Sequence, residues 1–281
     1  MPDADDRNPG GPRGEAGPTG SDRAGRPVLF FSDVHLGVPG RSPDRVDRLL
    51  RLMASARGRV AEVFILGDLF DFWFEYRHAV PKGHFRFLRG LADLVDSGVP
   101  VTYLAGNHDF WVGSYLKKEL GLSVSDEPIE RRIQGRRIFL AHGDGLGKGD
   151  LGYRVLKAVL RSRLCIALYR ALHPDLGIPL AYRVSSISRG HTGQREVLLP
   201  KLYRDIARPR LREGFDGVIM GHVHEPAHFA GGDPAGDFVI IGDWLDNLTY
   251  VEMEGGLFRL MQWNDDGPAR LIASSPPPEA A

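Results

Sequence analysis

Five short segments of this chain hold side chains that could bind cations: Asp33-Val34-His35, Gly67-Asp68-Leu69-Phe70-Asp71, Gly106-Asn107-His108-Asp109, His142-Gly143-Asp144 and Gly221-His222-Val223-His224. Each alone is a common arrangement. Five in one chain, each placed after an apolar run, point to a shared site. Imidazole nitrogens beside carboxylate and amide oxygens suit Mn2+, Fe or Zn2+, and the lack of thiolates in the set argues against a structural cysteine–zinc site. A carboxylate can bridge two such cations about 3.5–4 Å apart. The pair would make hydroxide available near neutral pH and stabilise charge on the attacking and leaving oxygens of an in-line displacement. Asn107 would add a neutral oxygen and so limit the negative charge of the set.

The elements that must position these groups are legible as short apolar runs. Val28–Phe31, Val63–Leu66, Val101–Leu104 and Val218–Met220 read as strands, each ending just before one of the segments. Ile129–Ile133 and Arg137–Leu140 flank Gln134-Gly135, a hairpin signal that leads to His142. Helices are expected around Asp44–Arg57 and Gly83–Ser97, and closing strands at Phe238–Ile241, Leu248–Val251 and Leu257–Met261. Strands alternating with helices predict an α/β fold whose sheet is buried on both faces, with ligands gathered beyond the carboxyl ends of the strands. Residues 145–213 break that rhythm and read as an inserted helical cap. Residues 1–27 hold eleven Gly or Pro and read, like 274–281, as a disordered tail, leaving 28–273 as the folded domain.

Bulk composition sets the outer limits. The 281 residues suit one large domain, and 42% hydrophobic content supports a sizeable core. Lys+Arg and Asp+Glu are 36 each, so overall charge names no partner. The single cysteine, Cys165, excludes an internal disulfide and fits a reducing compartment. No run approaches the roughly 20 apolar residues needed to cross a bilayer, and the N-terminus lacks the apolar stretch of a signal peptide.

Taken together, the five segments resemble the signature of the calcineurin-like metallophosphoesterases. That resemblance implies a sandwich of two mixed β-sheets flanked by helices. It implies that Asp33, His35 and His224 hold one divalent ion, that Asn107, His142 and His222 hold a second, and that Asp68 bridges both. It also implies that His108 contacts the phosphate and protonates the leaving group, with Asp109 orienting it by a hydrogen bond. Asp71 and Asp144 read either as partners of ligand imidazoles or as helix-cap and turn residues.

More specific matches narrow the substrate. Phe31–Gly37, Gly67–Trp73 and Ile241-Gly242-Asp243-Trp244 resemble the UDP-2,3-diacylglucosamine hydrolases of lipid A synthesis, over about residues 28–262. The implied reaction splits a UDP-linked diacyl sugar into UMP and a diacylglucosamine 1-phosphate, usually with Mn2+. It would take place in the cytoplasm, at the cytoplasmic face of the inner membrane. One position departs: the best-known branch carries Arg where this chain has His108. A generic phosphodiesterase or phosphatase for soluble nucleotides or phosphoproteins is the alternative.

Between Asp150 and Arg212 there are 13 Lys or Arg against 4 Asp or Glu. Leu151–Leu172 mixes those charges with apolar residues. Such a segment can lie on an anionic membrane face, shelter acyl chains while its cations meet a diphosphate, or pack as an ordinary amphipathic helix. Candidate substrate contacts are Tyr153, Arg183, Ser186 and Arg189, with Lys148 suggested by its position after the His142 segment. No RNA- or DNA-binding motif is present, so nucleic acid is not an expected partner.

Overall fold

Val28–Phe31 shows how the apolar runs build the core. Side chains alternate across a strand, so Val28 and Phe30 join one buried cluster while Leu29 and Phe31 join another. A strand apolar on both faces must be covered on both, and that requirement produces a layered molecule.

The computed structural model describes residues 25–276 apart from 39, 42–43, 148–150 and 190–194; the side chains of 151, 186–189 and 195–198 also lie outside the description. In chain order the elements are β1 (Val28–Phe31), α1 (Asp44–Ala56), β2 (Glu62–Leu66), α2 (Phe85–Asp96), β3 (Val101–Leu104), α3 (Tyr115–Leu120), β4 (Ser123–Ser125), β5 (Ile129–Ile133) and β6 (Arg136–Ala141). Helices α4 (Leu151–Leu160), α5 (Arg163–Ala171), α6 (Pro174–Arg189), α7 (Arg195–Leu202) and α8 (Arg208–Arg212) follow, with a π-helical turn, Tyr203–Ala207, between the last two. The chain closes with β7 (Gly217–Met220), β8 (Ala227–Ala230), β9 (Asp237–Ile240), β10 (Thr249–Glu254), β11 (Leu257–Gln262) and β12 (Arg270–Ser274).

Two mixed sheets result. One has seven strands in the order β12-β11-β10-β1-β2-β3-β4, and the other has five in the order β5-β6-β7-β9-β8. β1 to β4 are mutually parallel, as are β6, β7 and β9. Phe30, Phe64 and Leu104 from the first sheet meet Leu140, Ile219 and Val239 from the second. The outer face of the first sheet is covered by α1 and α2 through Leu49, Met53, Leu91 and Leu94. The outer face of the second is covered by Leu202, Ile206 and Leu211. Each fully buried Leu or Phe contributes about 1.5–3 kcal/mol by leaving water.

The expected tails need correction at both inner boundaries. The carbonyls of Arg26 and Pro27 accept hydrogen bonds from Gln134 Nε2 and the Ala61 N–H. At the other end Ser274 closes β12, and buried Ser275 donates to Asp237 and accepts from the Phe258 N–H. Backbone and hydroxyl pairing, which composition does not reveal, hold these residues. The tail residues 1–24 and 277–281 lie outside the described residues.

His84, just before α2, is buried against Phe70 and Trp73, and its Nε2 has no hydrogen-bond partner among the described residues. Burial pushes its imidazole down to about 4. The unfolded chain takes up that proton from about pH 6.5 downward and the folded chain only near pH 4. Stability is therefore level above pH 6.5, declines through that interval, and is lower by about 3 kcal/mol below it. Denaturant titrations of His84→Leu should lose this part of the acid limb; an unchanged limb would sink the assignment.

Candidate metal centre

The ligand-type residues lie where strands end. Asp33 and His35 follow β1, Asp68 follows β2, and Asn107 and His108 follow β3; His142 follows β6, and His222 and His224 follow β7. Both sheets thus feed one edge. Asp33, His35, Asp68 and His222 have φ of 52°, 47°, 50° and 66°, a left-handed conformation uncommon outside glycine. Such strain persists only where the surroundings over-determine it. Here the Asp33 N–H donates to the Gly67 carbonyl (3.1 Å), the His35 N–H to the Asp68 carbonyl (2.9 Å), and the His222 N–H to Asp33 Oδ2 (2.9 Å). Two glycines permit the close approach: a Cβ on Gly106 would stand 2.1 Å from Asp68 Oδ1, and one on Gly221 would stand 2.6 Å from Asp33 Oδ2.

Asp33, His35 and His224 each bring one ligand atom within 4.8 Å of the others, as do Asp68, His142 and His222. Asn107 Oδ1 lies 3.0 Å from His142 Nε2 and 2.9 Å from His222 Nδ1, which joins it to the second triplet. Asp68 Oδ2 lies 3.3 Å from His142 Nε2 and 3.6 Å from His35 Nε2, so this carboxylate touches both. A third triplet, His35, Asp71 and His108, draws on the opposite nitrogen of His35: Nδ1 is 3.5 Å from Asp71 Oδ1, an oxygen that already accepts the Ser185 hydroxyl. Asp71 therefore stands beside the His35 ring as a charge neighbour, short of a hydrogen bond.

Two other imidazoles also have neighbours behind them. Asp243 Oδ2 lies 3.5 Å from His224 Nδ1, and the Leu66 carbonyl lies 2.8 Å from His142 Nδ1. Asp243 is itself fixed by the N–H groups of Leu245, Asp246 and Asn247. Such partners orient a ring and fix which nitrogen faces a metal. The sequence reading quoted Gly-Asp-Trp without giving Asp243 this task. Asp144 does something else: it accepts from Tyr153 Oη (2.7 Å) and Lys157 Nζ (2.5 Å), tying α4 to the edge.

The charges interlock. Burial works to raise Asp68, but the His142 and His108 charges outweigh it and hold the carboxyl well below its usual range. Burial works to lower His142, yet the Asp68 carboxylate lifts it well above an ordinary histidine. Asp33 is lowered against its burial by His224, which is raised in turn. The carboxylates thus call for positive charge at this edge. Asp33 Oδ1 and both His35 nitrogens are buried without a hydrogen-bond partner among the described residues, a cost of about 1–3 kcal/mol per group unless a ligand satisfies it. Unsatisfied oxygen and imidazole atoms in the Asp33 triplet, with a second triplet of the same donor types beside it, fit a pair of divalent cations.

His108 sits beside this edge with its ring edge-on to His35. The expectation that Asp109 orients it is corrected. Asp109 accepts from the N–H groups of Phe70 and Gly106 and lies against the Tyr103 hydroxyl, so its carboxylate is spent on the backbone. His108 Nδ1 instead lies 2.8 Å from Ser185 Oγ and 3.7 Å from Asp71 Oδ1. Of the expected substrate contacts, Tyr153 lines a cavity beside His108 and Arg183 is exposed on α6. Lys148 and the side chains of Ser186 and Arg189 lie outside the described residues.

That cavity holds about 390 Å³. Asn107 and His108 are among its lining residues, and Phe72, Trp111, Leu160 and Leu180 help to make most of the lining apolar. Trp111 Nε1 donates to the Leu160 carbonyl at 2.8 Å, fastening α4 over it.

Two packed sheets that converge imidazoles and carboxylates on one carboxyl edge, under a helical cover, define a metal-dependent phosphoester hydrolase. A calcineurin-like phosphoesterase domain is matched over residues 26–226, and the chain belongs to that family. A protein from Porphyromonas gingivalis named UDP-2,3-diacylglucosamine hydrolase is 34% identical over 257 residues, covering 85% of this chain and 98% of the relative. Proteins of the same name from Stenotrophomonas maltophilia K279a and Pseudomonas fluorescens SBW25 are each 30% identical, covering 82% and 77% of this chain and 95% and 87% of their own lengths.

Proposed function

We propose that this chain hydrolyses the diphosphate of UDP-2,3-diacylglucosamine to UMP and 2,3-diacylglucosamine 1-phosphate. The observation that carries the reading is the apolar cavity opening on Asn107 and His108. A substrate with acyl chains needs apolar volume beside the reacting phosphorus, and a soluble nucleotide or phosphoprotein does not. The names of the relatives support the same substrate.

Asp33, His35 and His224 would hold one cation, Asn107, His142 and His222 the other, and Asp68 both. Mn2+ suits this mixed nitrogen and oxygen set, and Fe or Zn2+ would also be accepted. Bound cations would polarise the phosphate oxygens and ease deprotonation of water. The oxygen of water joins phosphorus as the P–O bond of the anhydride breaks. His108 gives its proton to the departing phosphate oxygen. Tyr153 and Lys157, held to Asp144, keep α4 seated beside the cavity.

The reaction would take place on the cytoplasmic face of the inner membrane. Val155, Val159, Leu164, Leu168, Leu176 and Val184 on α4 to α6 are 55–70% exposed, and Arg154, Arg163, Arg170 and Arg183 stand exposed among them. Apolar side chains between cations suit an anionic lipid surface. No helix of the described residues is long and apolar enough to cross a membrane.

The test is turnover of UDP-2,3-diacylglucosamine by purified protein with Mn2+, alongside bis(p-nitrophenyl) phosphate. Release of UMP is expected. Activity on the generic ester alone would sink the substrate and favour a general phosphodiesterase. Ala181→Trp, which fills the cavity, should raise KM for the diacyl substrate roughly 10–100-fold while leaving the generic ester within about twofold. An unchanged KM would remove the acyl chains from that cavity.

A further inference from the structure

Tyr182 and Ser185 are three residues apart on α6 and therefore share a face. That face points down onto the metal edge. The Tyr182 hydroxyl approaches Gly37 so closely that a Cβ there would lie 2.7 Å from it, and Ser185 is 8% exposed. Ser185 is the described cap residue whose side chain reaches both Asp71 and His108.

The direction of these contacts follows from proton counting. A serine hydroxyl has one proton to give, and an ionised carboxylate has none. Ser185 Oγ lies 2.8 Å from Asp71 Oδ1 and must donate to it. Toward His108 Nδ1, also at 2.8 Å, the hydroxyl can only accept. His108 must then carry a hydrogen on Nδ1, which reserves Nε2 as its reacting nitrogen. The same Asp71 oxygen lies 3.5 Å from Nδ1 of His35, a charge neighbour without a hydrogen bond to it.

We propose that Ser185 is a positioning residue on the cap that sets the tautomer of His108. A cap lifted from the edge takes that hydroxyl with it. Asp71 Oδ1 alone, 3.7 Å from His108 Nδ1, is beyond hydrogen-bonding range and does not replace it. The inference rests on the reading of His108 as the group that protonates the leaving oxygen. It adds a requirement that no metal-ligand motif contains, because the residue that meets it lies on the inserted helices.

The experiment compares the full chain with Ser185→Ala and Ser185→Thr. Nitrogen-15 spectra of histidine-labelled, metal-free protein are recorded at alkaline pH and report which ring nitrogen of His108 carries a hydrogen. The unsubstituted protein should show His108 with its hydrogen on Nδ1, Ser185→Ala should lose that form, and Ser185→Thr, which keeps the hydroxyl, should retain it. With Mn2+, Ser185→Ala should lower kcat roughly 10–100-fold at little change in KM, and Ser185→Thr should recover most of the loss. The loss should shrink on bis(p-nitrophenyl) phosphate, whose leaving group departs without a proton. A hydrogen on Nε2 in the unsubstituted protein would overturn the proposal. So would a Ser185→Ala variant that raises KM alone with the tautomer unchanged, since Ser185 would then be a substrate contact. If UDP-2,3-diacylglucosamine is not turned over, the substrate reading falls, and the metal-free spectra still decide the role of Ser185.

Discussion

Asp68→Asn should leave the chain folded and lower hydrolysis of any phosphodiester about a thousandfold. Asparagine keeps the shape of the side chain and an oxygen for the His108 N–H, which Asp68 Oδ1 accepts at 2.8 Å. It removes the negative charge that faces His142 and His35 together. Electrostatic stabilisation by a metal pair is worth several kcal/mol in the transition state, and each 1.36 kcal/mol is tenfold in rate. Metal analysis of the purified variant should fall from about two ions per chain toward one or fewer. Near-normal activity with full metal content would show that Asp68 does not bridge.

The second large effect should come from Gly106→Ala. The new Cβ would stand 2.1 Å from Asp68 Oδ1 and 2.5 Å from the Asp68 backbone nitrogen. Side-chain rotation cannot relieve a clash with backbone, so the loop carrying Asn107 and His108 must shift. Overpacking of this kind costs about 1–3 kcal/mol of stability. The kinetic cost is larger: a displacement of about 1 Å at a catalytic group can cost about a hundredfold. Thermal unfolding should show the modest loss, and kcat/KM the severe one. Equal, slight effects would mean that the loop yields freely and that the close approach has no catalytic consequence.

The metal edge was legible because its chemistry admits few residue types and its geometry demands strand ends. Asp33, Asp68, Asn107, His142 and His222 each announce themselves after an apolar run. The partners of those residues were harder to read. Asp109 adjoins His108 in sequence, but its carboxylate turns to the Phe70 and Gly106 N–H groups, while Asp71 and Ser185 reach the ring from distant segments. The inward placing of Ser185 was not legible, because only the direction in which α6 docks decides which of its residues reaches the edge. Strands β4, β8 and β12 went unread because they lie at sheet edges, where half-exposed sequences such as Ser123-Val124-Ser125 and Ala227–Ala230 carry no apolar run.

Helices α4 to α8 leave from the end of β6 and return at the start of β7, and those strands are hydrogen-bonded neighbours with Ile138 to Ala141 in register with Gly217 to Met220. Because these strands are parallel, the excursion leaves at the carboxyl end of β6 and must cross the sheet to re-enter at the amino end of β7. Leu202, Ile206 and Leu211 make that return across the second sheet, while the pairing of Ala141 with Met220 holds His142 and His222 side by side. A different cap in this place would keep that strand pairing but would lose the Ser185 hydroxyl that lies 2.8 Å from His108 Nδ1.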